Sequence, residues 1–336
     1  MSSDKQSIVV LGAGSWGTAL AIQLMRHSEP VTLWGHEADQ MAAITAQGSN
    51  ERYLPGITLP ETLKLESDLE RAVKGVQNIL VAVPSHAFRS VLVAVEPYLS
   101  NTSRLIWATK GLEAGSGKLL HEVANEVLNE PPPLAVISGP TFAREVAEGL
   151  PTAVTVASQN EKFAHEMADR FHSETFRAYT SEDVIGVEIG GAVKNVLAIA
   201  AGIADGLGFG ANTRTALITR GLAEMMRLGE ALGGQRDTFM GLAGLGDLVL
   251  TCTDNQSRNR RLGLALGKRE NLEQALANID QVVEGVQTAK EVFELAQREA
   301  VDMPITEQVY EVLYEGRSPK AAVYELLARD QKAECE

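Results

Sequence analysis

Between Ile8 and Ala157 the chain alternates short, almost continuous apolar runs with stretches whose apolar residues recur every three or four positions. The runs Ile8–Leu11, Val31–Trp34, Ile79–Val83, Leu105–Ala108, Leu134–Ser138 and Ala153–Ala157 are rich in β-favouring residues and predict strands. Thr18–Arg26, Ala38–Gln47, Leu69–Val73, Ala87–Val95 and Leu119–Leu128 carry the helical period and predict helices between them. A strand with no polar face is buried on both sides, so the pattern predicts a parallel α/β sheet, doubly wound, with helices on both faces. Pro131-Pro132-Pro133 reads as a stiff connector ahead of a strand.

Near Ile185 the pattern changes and strand signal all but disappears. Val187–Ala204 predicts a long helix whose glycines and alanines let neighbours approach closely. Asn212–Leu232, Asn259–Leu266, Leu272–Asn278, Thr288–Glu299, Ile305–Tyr314 and Pro319–Leu327 predict further helices. The expected organisation is an α/β domain over residues 1–184 and an all-helical C-terminal domain over residues 185–336.

Composition narrows the function classes. With 336 residues, 45% hydrophobic and 22% charged, both domains can bury real cores. A net charge of -14 disfavours a nucleic-acid partner, although a local basic pocket for an anionic metabolite stays compatible with it. Cys252 and Cys335 are too far apart to suggest a disulfide framework or a metal site, which fits a reducing compartment. Met1 to Ser7 is a short polar lead into a strand rather than a signal peptide. The longest apolar stretch, Val196 to Ala204, is shorter than the roughly 20 residues of a membrane span. The expectation is a cytoplasmic protein without a membrane span.

Gly12-Ala13-Gly14-Ser15-Trp16-Gly17 follows the first strand and opens the first helix. In that context Gly12 allows the tight turn, Gly14 lets a pyrophosphate approach the backbone, and Gly17 permits close helix–strand packing. N–H groups around Ser15 and Trp16 supply the anion site, so the first domain is expected to be a Rossmann-type fold binding NAD(H) or NADP(H). The second strand ends Leu33-Trp34-Gly35-His36, with Glu37 beyond the usual place of the ribose-binding carboxylate. That favours NADP(H), with NAD(H) the alternative; His36 is either a donor to a 2′-phosphate or a solvated loop residue.

Ala108-Thr109-Lys110-Gly111-Leu112 and Ser138-Gly139-Pro140-Thr141-Phe142-Ala143 each follow a predicted strand, where open parallel sheets bind ligands. Gly190-Gly191-Ala192-Val193-Lys194-Asn195 places Lys194 in the small-residue helix. There it is either a desolvated proton donor of lowered pKa or a snorkelling lysine at a domain edge. Gly244-Leu245-Gly246-Asp247-Leu248 precedes Ser257-Arg258-Asn259-Arg260-Arg261, a basic run in an acidic chain that opens a predicted helix. Such a run suits phosphate, while a solvated helix face accounts better for at least one of its arginines.

Together with Thr251-Cys252-Thr253 and Val282-Val283-Glu284-Gly285, these motifs closely resemble those of the NAD(P)-dependent glycerol-3-phosphate dehydrogenases of the bacterial biosynthetic type, from Gly12 to about Leu327. The resemblance implies reversible reduction of dihydroxyacetone phosphate, feeding glycerophospholipid synthesis. It implies Lys194 as the catalytic lysine, with Asp247 orienting it or accepting from a substrate hydroxyl. Lys110, Gly139, Thr141, Lys194, Asp247, Ser257, Arg258 and Asn259 are the implied substrate contacts. Ser15, Trp16, His36, Lys110, Ala143, Arg258, Val282 and Glu284 are the implied cofactor contacts, beside Gly12, Gly14 and Gly17. A homodimer is expected, as is common in families of this kind. All six histidines lie at or before His172, which disfavours a histidine acid unless His86 enters the site. The competing readings are another two-domain β-hydroxyacid-type dehydrogenase and a non-catalytic dinucleotide sensor. The intact Lys194, Asp247 and Arg258 set argues against the sensor.

Overall fold

The structure, a computed structural model, describes residues 7–26, 30–279 and 281–329. Cys335, and all but the last of the leading residues 1–7, lie outside the described residues.

The predicted sheet forms, with eight strands: β1 (Ile8–Leu11), β2 (Val31–Trp34), β3 (Lys64–Glu66), β4 (Asn78–Val81), β5 (Arg104–Trp107), β6 (Leu134–Ser138), β7 (Thr152–Ala157) and β8 (Phe176–Ser181). Their order is β3-β2-β1-β4-β5-β6-β7-β8. Pairing is parallel from β3 through β6, and the order in which strands are added reverses between β1 and β4, leaving a crevice at the strands' carboxyl ends. β7 runs antiparallel to β6 and parallel to β8, so the sheet is not parallel throughout. Only the six-residue helix Ala143–Glu148 lies between β6 and β7, and an antiparallel neighbour needs no return across the sheet.

Strand side chains alternate between two cores. Ile8, Val10, Leu33, Leu80 and Ile106 pack on one face, and Val9, Leu11, Ile79, Val81 and Trp107 on the other. Both faces are dry, so these strands show no amphipathic pattern. The strands without such a run are β3 and β8, at the two edges of the sheet and partly exposed.

A third core surrounds the helix Val184–Gly206. Asp183 caps its start, accepting from Gly186 N at 2.8 Å and Gln235 N at 2.8 Å. The helix outruns the predicted Val187–Ala204 at both ends. With 23 residues, and a mean hydropathy of 1.6 over an 18-residue stretch of them, it is long and apolar enough to cross a membrane. The expectation that no apolar segment reaches that length is therefore corrected: Gly, Glu and Lys interrupt the linear run, but the helix continues through them. It is sheathed by the helices Gly210–Ala231, Asp247–Thr253, Arg258–Gly267 and Glu284–Arg298, which leave 89% of its apolar window buried. The tightest seam joins Gly202 and Gly206 to Gly263 and Gly267, where a Cβ on any of the four would overlap the opposing backbone.

Candidate active site

At the end of β1 the chain turns through Gly12 at φ +121°, where a Cβ would lie 2.5 Å from the Ala82 carbonyl oxygen. The helix Ser15–Met25 then begins with no side-chain cap and no acidic residue in its first turn. Its first N–H groups are therefore available to an anion. Space above the turn is open, since a Cβ on Gly14 would meet nothing within 4 Å. Trp16 Nε1 beside it is buried without a partner in the protein. An uncapped helix start, an open glycine and an unpaired indole N–H fit a dinucleotide pyrophosphate.

At the rim, the His36 side chain is 77% exposed. Glu37 is drawn to Arg52, whose Nη1 donates to it at 2.9 Å. Arg52 also lies over the Tyr53 ring, 5.1 Å from its centroid. It comes from a turn beyond the next helix, and no spacing rule linked it to β2.

On the opposite wall the deciding contact is between the Val184–Gly206 helix and a five-residue π-helical turn, Leu242–Gly246. A Cβ on Gly190 would overlap the Ala243 carbonyl oxygen, so glycine there lets the turn lie against the helix. Lys194 is one helical turn further on the same face. The π turn delivers Asp247, which is fully buried, directly onto it.

Asp247 Oδ1 accepts from Lys194 Nζ at 2.5 Å, and its Oδ2 accepts from Lys110 Nζ at 2.6 Å. Lys194 also donates to Thr251 Oγ1 at 3.1 Å, and Lys110 to the Gly139 carbonyl at 3.2 Å. Thr141 Oγ1 donates to the same carbonyl at 3.3 Å. One carboxylate thus clamps two ammonium groups, one from each half of the chain. Burial pushes the Lys194 pKa down to about 8; Lys110 pushes the same way, and Asp247 opposes both. The snorkelling alternative does not hold, because Lys194 is only 6% exposed and its head is paired inside.

Ser257, Arg258 and Asn259 meet at the start of the helix Arg258–Gly267. Ser257 Oγ caps it by accepting from Arg260 N at 3.2 Å, which leaves the hydroxyl proton free to donate. Asn259 donates to Asn195 Oδ1 at 2.8 Å and accepts from Gly285 N at 2.9 Å. That ladder fixes it between the Lys194 helix and the Glu284–Arg298 helix. Arg258 donates to the Val282 carbonyl at 2.9 Å, which brings Val282 beside it. The other two arginines of the run differ: Arg261 is exposed, and Arg260 is buried on Asp205 at 2.6 Å. His86 is exposed, whereas His121, from the α/β half, reaches the central helix and bonds Glu188.

The structure therefore joins Lys110, Gly139, Thr141, Lys194 and Asp247, and separately Arg258, Val282 and the Asn259 ladder. It places Gly12, Gly14, Ser15, Trp16 and Gly17 at the β1 turn, His36 at its rim, and Ala143 at the start of the helix after β6. Thr251 and Asn195 went without roles although both stand in the quoted motifs; the four-residue spacing of Asp247 and Thr251 was the available signal.

Residues 7–164 match the family model described as NAD-dependent glycerol-3-phosphate dehydrogenase N-terminus, and residues 183–324 match the corresponding C-terminus. A glycerol-3-phosphate dehydrogenase (NAD(P)+) of Pseudoalteromonas translucida is 57% identical, covering 99% of this chain and 100% of its own. One from Vibrio cholerae is also 57% identical, over 97% of this chain and 95% of its own. The crystal structure of glycerol-3-phosphate dehydrogenase from Coxiella burnetii superposes with a TM-score of 0.94 at 51% identity, covering 97% of this chain and 99% of that one. A ketopantoate reductase from Ralstonia eutropha shares the fold at TM-score 0.60 and 15% identity, over 95% of this chain and 100% of its own.

Proposed function

The chain belongs to the NAD-dependent glycerol-3-phosphate dehydrogenase family, and on that premise we propose how its residues divide the work of the reaction. The protein is an NAD(P)-dependent oxidoreductase that interconverts dihydroxyacetone phosphate and sn-glycerol 3-phosphate. Residues 1–184 hold the dinucleotide, and residues 185–336 hold the substrate phosphate and supply the proton. When bound, NAD(P)H supplies the hydride that reaches the substrate's C2 carbonyl.

The observation that carries this assignment is the buried Asp247 carboxylate, shared by Lys194 and Lys110. Negative charge develops on the carbonyl oxygen as C2 is reduced. Lys194 stabilises that oxygen and protonates it, and its lowered pKa makes the proton easier to give. Asp247 keeps the ammonium charged and aimed. Lys110 and Thr141, tied to the Gly139 carbonyl, fix the substrate's oxygen end. Arg258, the Ser257 hydroxyl and the helix start hold the phosphate, and Asn259 holds that helix in place. Binding at the phosphate then positions the carbonyl, a remote contribution to the rate.

Lys194→Met is expected to lower kcat by roughly a thousandfold while NAD(P)H binding stays near normal. The wild-type enzyme carries a second signature. Reduction needs the charged lysine, so its rate falls as pH rises through about 8, while oxidation needs the neutral lysine and rises there. Unchanged turnover in Lys194→Met would remove the lysine from the mechanism.

NADPH is the preferred cofactor in this reading, because Glu37 is occupied by Arg52 and presents no free carboxylate to a 2′-phosphate. Parallel kinetics with NADH and NADPH test it. The same reading makes the enzyme a cytoplasmic homodimer supplying glycerophospholipid synthesis; sedimentation, fractionation and lipid labelling in a null strain are the corresponding measurements.

A further inference from the structure

Each reduction removes one proton from Lys194, and the neutral amine must recover it before the next. Lys194 is 6% exposed and Asp247 fully buried even before ligands enter. While product and cofactor are still bound they fill the cleft side, so a proton that returns before they leave must come through the protein.

Such a path lies behind Lys110. A cavity of about 10 Å³, at the lower limit for one water, is lined by Thr109, Lys110, Ser138, Glu188 and Gly191. The Ser138 hydroxyl is buried there without a partner in the protein. Glu188 stands on the Lys194 helix with its side chain 2% exposed. Its Oε1 accepts from Trp107 Nε1 at 3.2 Å and His121 N at 3.0 Å, and its Oε2 lies 2.6 Å from His121 Nδ1. His121 is the member of the pair that reaches solvent, with 21% of its side chain exposed.

We propose that Glu188 and His121, joined to Lys110 through one water bound by Ser138, form the route by which the Lys194–Asp247–Lys110 cluster regains a proton from solvent. The proton passes from Lys110 across the Asp247 carboxylate to neutral Lys194. Lys110 is then recharged from Glu188 through the water, and Glu188 from His121. Net, one proton taken from bulk water at His121 replaces the one delivered to the product hydroxyl. Burial raises the Glu188 pKa. Burial lowers that of His121, but the hydrogen bond to Glu188 and the negative charges of Glu188 and Glu122 together outweigh it and raise it. Both shifts favour a proton held between them. The other charged groups facing the pair are Glu122, beside His121, and Lys110, across the cavity.

This inference rests on Lys194 as the proton donor, and the test separates the two. In Glu188→Gln, single-turnover hydride transfer should keep its wild-type rate, because Lys194 already holds the first proton. Steady-state kcat for reduction should fall about tenfold above neutral pH, and added imidazole should restore it. His121→Gln should behave alike while keeping the buried carboxylate, which covers the case in which Glu188→Gln does not fold. Wild-type kcat and pH profile in both variants would overturn the relay. So would a parallel loss of single-turnover and steady-state rates without rescue, since that marks a purely structural pin between helices. Lys194→Met in the single-turnover assay tests the premise: retained hydride transfer there would sink the donor assignment and the relay with it.

Discussion

The two walls of the cleft are built on different principles. The dinucleotide wall uses backbone: the end of β1, a glycine turn and an uncapped helix start, all within a few residues of Gly12. The catalytic wall uses charged side chains gathered from afar, with Lys110 and Asp247 separated by 137 positions and Lys194 and Asp247 by 53. Backbone recognition tolerates neighbouring side-chain changes. A buried charge cluster does not, because each member is costly without the others.

That contrast predicts a steep order of effects. Asp247→Asn should be the most severe: it leaves two buried lysines without their carboxylate and should lower kcat by about a thousandfold, with dinucleotide affinity changed less than twofold. A comparable loss of cofactor binding, read by fluorescence titration, would erase the distinction between the walls. Gly190→Ala should come next. Its methyl group displaces the π turn from the central helix and loosens Lys194 from Asp247, for roughly a 10- to 100-fold loss in kcat. Normal kinetics in a folded Gly190→Ala protein would show that the close approach does not set the site. Arg52→Ala should act on the other wall alone, raising KM for NADPH about threefold to tenfold and leaving NADH nearly unchanged.

The smallest effect marks where the charge cluster stops mattering. Glu224, in the outer helical layer, accepts from Ile305 N at 2.6 Å, Thr306 N at 3.1 Å and Thr306 Oγ1 at 3.1 Å. Burial pushes its pKa up from 4.5 to about 7. The folded state therefore holds this proton more tightly, so the contribution is full at acidic pH and is lost as pH rises from about 4.5 to 7. Glu224→Gln should flatten that part of the stability profile by roughly 1–3 kcal/mol in urea titrations, with kcat unaltered.

The same contrast explains what could be read from the sequence. The interior strands are apolar on both faces, so β1 and β2 lie where their runs predict. The edge strands β3 and β8 carry Lys64, Glu66 and Arg177 toward solvent and gave no such run. The π turn and the helix Asp247–Thr253 carry no helical signal because Gly241, Gly244 and Gly246 break up the first stretch and Asp247, Val249, Thr251, Cys252 and Thr253 are weak helix formers. Tertiary contact with Gly190 supplies what local preference lacks. The motifs pointed to Lys194, Asp247 and Lys110 as residues, but their common carboxylate is a property of packing. Arg52 and the Glu188–His121 pair had no motif at all, since each joins segments distant in the chain.

The glycine seam along the central helix has a consequence for how the protein is made. The segment Val184–Gly206 would pass for a membrane anchor on length and hydropathy. Its shield includes Gly263 and Gly267, which leave the ribosome after it. During that interval the face of the helix that Gly263 and Gly267 will cover stays exposed. Synthesis speed and chaperone capture between those two points therefore bear on yield, independently of the stability of the finished enzyme.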